Sequence, residues 1–143
     1  MRRYRAALAH TAAPHDVVFQ VYSATPDNRG LMRFALASAM LDDGHFAFNS
    51  DAAPTVPWFE EYEAPVGKPL EPPPTAAAAG GVWVRRYENG LVLVNPDKTS
   101  TRSIDIGNGY KHLDGTQDRA VNNGLSERVV SLPPRSGVLM LKG

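Results

Sequence analysis

Cysteine is absent from the 143 residues, which excludes a disulfide framework, a thiolate metal site and a cysteine nucleophile while leaving the compartment open. Surplus charge is absent too, with 15 Lys and Arg against 15 Asp and Glu. Nucleic acids and anionic membranes are bound by clustered Lys and Arg that displace counterions, so neither is an expected partner. No apolar run approaches the ~18–20 residues of a membrane span. The opening Met1-Arg2-Arg3-Tyr4-Arg5 is basic, but Ala6-Ala7-Leu8-Ala9-His10-Thr11 gives out before the ~7–15-residue apolar core of a signal peptide, and a soluble chain is expected. Missing as well are a phosphate loop, a dinucleotide glycine fingerprint, a zinc-binding His-Glu pair and a nucleophile elbow, so no cofactor and no metal is expected.

What is present divides the chain into three regimes, 1–50, 51–81 and 82–143. In the first, an alanine-rich stretch from Arg2 to Ala13 is stopped by Pro14, and Val17-Val18-Phe19-Gln20-Val21-Tyr22 follows. The run is short, β-branched and aromatic, and turn residues bound it, which predicts a buried strand. Thr25 as N-cap, Pro26 at the first helical position and Asp27 in the first turn predict a helix start. Leu31, Phe34, Ala35, Ser38 and Leu41 then mark one buried helical face. Gly44 is a plausible stop, and residues 44–49 read as a short extended piece. A strand apolar at nearly every position and flanked by helices belongs to a parallel sheet covered on both faces. One such strand makes no sheet, so its neighbours come from a partner or from the rest of a larger α/β domain.

The middle regime gathers most of the prolines and ends in Glu71-Pro72-Pro73-Pro74-Thr75, four alanines and Gly80-Gly81, the composition of a linker. The last regime reads as all β. Val82 to Tyr87 and Leu91 to Asn95 are joined by Glu88-Asn89-Gly90, where Asn-Gly is expected to supply the positive-φ residues of a tight turn. Further strands are predicted at 101–106, 110–113, 126–132 and 137–141, which makes a small antiparallel sandwich. A unit of ~60 residues buries only ~60% of its unfolded surface, so docking onto the preceding α/β part is expected.

Candidate site residues fall into three groups. Gln20, Tyr22 and Ser23 sit at the carboxyl end of the predicted strand, the edge where parallel α/β architectures bind ligands. Asp42, Asp43 and His45 flank the predicted helix end, where an acid/base or metal role competes with ordinary turn chemistry. Trp58-Phe59-Glu60-Glu61-Tyr62-Glu63 places three aromatics and three carboxylates in six residues. Aromatic rings stack on the apolar faces of sugars and carboxylates accept from their hydroxyls, so Trp58, Glu60, Glu61 and Tyr62 suit a carbohydrate cleft. Glycoside hydrolysis also needs two carboxylates, ~5–9.5 Å apart by mechanism, whereas adjacent Glu60 and Glu61 point apart in an extended chain. The plainer alternative is a loop whose aromatics dock on the core. On the predicted strand 82–87, Trp83, Arg85 and Tyr87 share a face, read as core packing under a covering Arg or as a sugar platform.

Met32 to Phe48 with its Asp42-Asp43-Gly44, Trp58-Phe59-Glu60-Glu61-Tyr62 with Gly67-Lys68-Pro69-Leu70, and Tyr87 to Pro96 together resemble the C-terminal third of glycoside hydrolases in which a β/α-barrel is followed by a small β-sandwich. Gly115-Thr116-Gln117-Asp118 and the ending Val129 to Leu141 are similar to parts of that sandwich. The resemblance covers roughly residues 15–143. It implies an α/β fragment, the terminal barrel elements, followed by an antiparallel sandwich domain, acting on carbohydrate. It implies too that the catalytic carboxylates lie mostly on strands upstream of Met1, so enzyme activity of this chain alone is uncertain. The expected substrate-binding residues are Gln20, Tyr22, His45, Trp58, Glu61 and Tyr62, and no catalytic residue is assigned. The expected partners are carbohydrate and the upstream barrel segment, or self-association through exposed seams. A non-catalytic carbohydrate-binding or interaction module is the alternative, and a purely structural gene product the plainest.

Overall fold

The computed structural model describes residues 2–12, 17–52 and 55–143. Helix α1, Arg2–Ala9, is shorter than the alanine-rich stretch that suggested it. Its end is held by side chains: Thr11 Oγ1 donates to the Leu8 carbonyl at 3.1 Å. Pro14, the expected stop, lies outside the described residues. Strand β1, Val18–Ser23, and strand β2, His45–Ser50, flank helix α2, Arg29–Met40. They pair in parallel, from Val18 with His45 to Ser23 with Ser50. Among the described residues no other strand pairs with either.

Helix α2 starts later than Thr25 and Pro26 suggested. The Asn28 carboxamide oxygen caps it, accepting from Leu31 N at 3.1 Å, while Thr25 N donates to Ser23 Oγ at 3.3 Å in a preceding turn. An Asn cap and a Thr cap are chemically similar, so which one is used depends on how the chain leaves β1. Burial also exceeds the single face expected: Met32, Arg33, Ala35, Leu36, Ala37, Ser38 and Ala39 are all buried. The cause is that α2 is clamped between the β1–β2 pair on one side and a second sheet on the other.

That second sheet is antiparallel and runs β3–β4–β8–β6, with β3 at Trp83–Tyr87, β4 at Gly90–Asn95, β8 at Ser136–Lys142 and β6 at Tyr110–His112. Strands β5, Arg102–Asp105, and β7, Val129–Leu132, form a further antiparallel pair. Over the described residues the chain is thus a small mixed α/β protein with two α-helices and antiparallel sheets. Strand β4 separates two cores. Val92 and Val94 face α2 in a cluster with Met32, Leu36, Phe48, Phe59 and Leu139, whereas Leu91 and Leu93 face Val130, Leu132, Val138 and Met140. The first cluster joins residues from all three sequence regimes, so the antiparallel sheets and the α/β piece share a core.

Two local expectations change. The β3–β4 hairpin forms, but neither Asn89 nor Gly90 has positive φ. Gly90 instead lies in β4, where a Cβ would stand 2.3 Å from the Met140 carbonyl, so close strand approach rather than turn geometry requires it. The residues leading into the expected linker, and its first residue Glu71, are also ordered against β3, with Arg86 N donating to Glu71 Oε1 at 3.0 Å. Leu70 N donates to the Arg86 carbonyl at 2.9 Å, Glu88 N to the Lys68 carbonyl at 2.9 Å, and Asn89 N to the Val66 carbonyl at 2.8 Å. Covering an edge strand with a proline-rich segment lets its backbone pair without offering a new edge.

Candidate functional site

Charged residues on three elements stitch the two halves together. Arg33, on α2 and only 7% exposed, donates from Nη1 to Glu61 Oε1 at 3.1 Å and from Nη2 to Asp118 Oδ2 at 2.7 Å. Asn122 Nδ2 donates to the same Glu61 oxygen at 2.9 Å. Glu60, the neighbour of Glu61 in a short 3-10 turn over Glu60–Glu63, has other partners. Its carboxylate accepts from Thr116 N at 2.7 Å, Thr116 Oγ1 at 2.6 Å and Gln117 N at 3.1 Å. Gln117 answers, accepting from Glu60 N at 3.2 Å. The Trp-Phe-Glu-Glu-Tyr and Gly-Thr-Gln-Asp motifs are therefore one contact, 56 residues apart in sequence.

These hydrogen bonds, the Thr116 hydroxyl's foremost, hold the Glu60 carboxyl below its ordinary range. A general acid for glycoside cleavage needs the opposite shift. Glu60 and Glu61 lie in a 3-10 turn rather than an extended chain, and each carboxylate is taken up by structural partners, Glu60 by the 116–117 loop and Glu61 by Arg33 and Asn122.

A second polar joint lies at the carboxyl end of α2. Arg85 is 2% exposed and donates from Nη1 to the Asp42 carbonyl at 2.7 Å and the Met40 carbonyl at 3.2 Å, and from Nη2 to Asp43 Oδ1 at 2.5 Å. Tyr87 Oη donates to the Met40 carbonyl at 2.5 Å. Helix carbonyls without intrahelical partners need such donors, and a cation there also complements the helix dipole. Burial raises the Tyr87 phenol above its usual value. Trp83, Arg85 and Tyr87 thus face α2 as packing residues, which leaves no sugar platform on β3. Asp42 and Asp43 are occupied by Arg5, at 2.9 Å, and by Arg85.

The expected binding residues fall into separate places. Gln20 and Tyr22 stand on the uncovered face of β1, and Gln20 Nε2 donates to Tyr22 Oη at 2.9 Å. Tyr22 is 60% exposed. His45 is at the opposite, amino end of the paired strands, so it does not join Tyr22 at the carboxyl edge. Tyr62 packs edge-on against Phe46 and Phe59, with ring centroids 6.2 and 5.7 Å away, on the face of β2 turned from Gln20. Burial and the nearby Glu61 push its phenol up to about 12. Glu61 itself is buried.

Trp58 is 53% exposed and stands on the rim of an open hollow of about 400 Å³. Glu60, Glu63, Lys111, His112 and Asp114 also line it. The partly exposed Glu127 carboxylate anchors His112, with Nε2 and Oε2 2.6 Å apart. A flat aromatic beside polar and charged side chains in a shallow hollow can hold a hydroxyl-rich ligand. Lys111, His112 and Asp114 were not singled out from sequence, because only the pairing of β6 with β8 brings them beside residues 58–65. Among the described residues no cluster of His, Asp and Glu could hold a metal ion, and no helix is long and apolar enough to cross a membrane.

Comparison with family models, with curated proteins and with solved structures gives no match to this chain.

Proposed function

We propose that the chain is the C-terminal portion of a glycoside hydrolase-like protein acting on carbohydrate, with β1, α2 and β2 as the last elements of a β/α barrel and β3–β8 as its accessory sandwich. The observation that carries this reading is the parallel β1–α2–β2 unit with one sheet face uncovered among the described residues. Parallel strands are ordinarily covered on both faces. Here Phe46 and Phe48 pack on one side, while Gln20, Tyr22 and Asn49 lie on the other. In a β/α barrel the strand face turned from the helices is met by the remaining strands, and the carboxyl ends of the strands, here Tyr22, Ser23, Asn49 and Ser50, are where barrel enzymes build their sites. Glu60 and Glu61 are held by structural partners, so the reacting carboxylates of such an enzyme come from other strands. The test is turnover by the purified chain on a panel of polysaccharides and aryl glycosides. None is expected, and robust turnover overturns the reading.

A second reading rests on a different observation, the exposed Trp58 on its polar hollow. In it the chain is a non-catalytic carbohydrate-binding or interaction module. Affinity electrophoresis in polysaccharide gels separates the two. The module reading expects retention that Trp58→Ala abolishes, and either unchanged retention or none at all removes it.

A further inference from the structure

We propose that Asn108, in the loop between β5 and β6, is a site of spontaneous covalent modification, deamidating through a cyclic imide while the fold protects the other Asn-Gly pairs, and that its isoaspartate product alters β6. The pairs are Asn89-Gly90, Asn108-Gly109 and Asn123-Gly124. Asparagine is among the thermally labile residues, and most so before glycine, where no Cβ shields the next peptide nitrogen. In the reaction that nitrogen loses its proton to hydroxide and attacks the asparagine Cγ. The new C–N bond closes a succinimide as the bond from Cγ to the side-chain nitrogen breaks, and that nitrogen leaves as ammonia with a proton from water, regenerating hydroxide. Water then opens the ring at either carbonyl. One opening gives aspartate and the other isoaspartate, in which the main chain runs through the side-chain carbon.

Hydrogen bonds decide which of the three can react. Gly124 N donates to the Leu113 carbonyl at 2.9 Å, and Asn123 Oδ1 accepts from Leu125 N at 2.9 Å. Asn89 is pinned at both ends of its own backbone, with N donating to the Val66 carbonyl at 2.8 Å and its carbonyl accepting from Lys142 N at 2.8 Å. Gly90 is buried and paired with Tyr87 on one side and Leu141 on the other. Attack at either pair therefore waits on local opening. By contrast Asn108 and Gly109 are exposed, and neither the Asn108 carboxamide nor Gly109 N makes a hydrogen bond among the described residues. A Cβ at Gly109 would meet no atom within 4 Å, so the Asn108 side chain has room to swing onto that nitrogen.

The product acts on the strand that follows. Isoaspartate lengthens the main chain just ahead of β6, which lies at the end of its sheet and carries Lys111 and His112. The Gly109 carbonyl, which accepts from Gly143 N at 2.9 Å, is the nearest pairing to be displaced. Either product also adds a negative charge to a chain whose formal charges balance, so the modified forms separate by anion exchange.

The test is incubation of the purified chain at mildly alkaline pH, then tryptic digestion in mild acid and mass spectrometry. Cleavage at Arg86 and Lys98, at Arg102 and Lys111, and at Arg119 and Arg128 puts the three asparagines in separate peptides. In the folded chain the mass gain of OH for NH2 is expected at Asn108 at least tenfold faster than at Asn89 or Asn123, and in urea at comparable rates for all three. Asn108→Gln is expected to remove the gain from its peptide and leave the other two unchanged. In the isoaspartate form, separated by anion exchange and told from aspartate by electron-transfer fragmentation, the amide NMR signals of Lys111 and His112 are expected to move. The proposal is overturned if Asn108 is as slow as the other two in the folded chain, if the same ratio persists in urea, which would make it a property of the sequence alone, or if the Lys111 and His112 signals stay in place.

Discussion

Strands β1 and β4 lie on opposite sides of the same helix and are built from comparable runs, Val-Phe-Gln-Val-Tyr-Ser and Gly-Leu-Val-Leu-Val-Asn. Every residue of β4 is buried, whereas β1 exposes Val18, Gln20 and Tyr22. The difference lies in their surroundings. Strand β4 has β3 and β8 on its flanks, α2 on one face and the β5–β7 pair toward the other. Strand β1 has one neighbour and one covered face among the described residues. Burial of an apolar run is set by how many layers reach it.

The largest effect is expected where the two halves are joined. Arg85→Met leaves the Asp42 carbonyl and Asp43 without their donor and the Met40 carbonyl with Tyr87 alone, and urea denaturation should show a loss of about 3–4 kcal/mol. A loss below ~1 kcal/mol would mean that the joint is not what aligns α2 with the sandwich. Next, Leu93→Ala on β4, at 0% exposure, should cost about 2–4 kcal/mol. Val18→Ala on β1, at 55%, should stay within ~0.5 kcal/mol. Equal losses would break the comparison, because they would require the open face of β1 to be covered in solution.

Glu61→Gln removes the charge beneath Arg33 but leaves Asp118 and the shape of the site. A loss of about 2 kcal/mol is expected, smaller than for Arg85, by the same measurement. The smallest effect concerns Glu60, whose folded-state pKa lies below the ordinary 4.5. A depressed pKa contributes stability that is present above the unfolded value and is lost as pH falls through the folded one. The stability gap between the protein and Glu60→Gln should therefore be constant near neutrality and shrink below pH 4.5. A gap that widens on acidification would show that the 116–117 loop is held by something other than the ionised carboxylate.

Much of this arrangement was legible residue by residue. Periodicity and turn residues located β1, α2, β2 and all six sandwich strands to within a few positions, because each of those signals is local. The start of α2 was missed because Thr25 and Asn28 are both competent caps and only the path out of β1 chooses between them. Gly90 was assigned to a turn because nothing nearby in sequence announces the Met140 carbonyl that forbids a side chain there. For the site, the aromatic and acidic cluster at 58–63 was visible as chemistry, but its division of labour was not. Glu61 turns inward to Arg33 and Trp58 outward to Lys111, His112 and Asp114, and those partners are 28 to about 55 residues away in the chain.

By itself the sequence determined the order and kind of the elements and the absence of thiol chemistry, since these depend on backbone preference and side-chain identity alone. Only the tertiary structure decided which apolar run is buried on both faces, which carboxylates are held by Arg33 and Thr116, and which of the Asn-Gly pairs are held by hydrogen bonds. Burial and hydrogen bonding are relations between residues distant in sequence, and they exist only once the layers have come together.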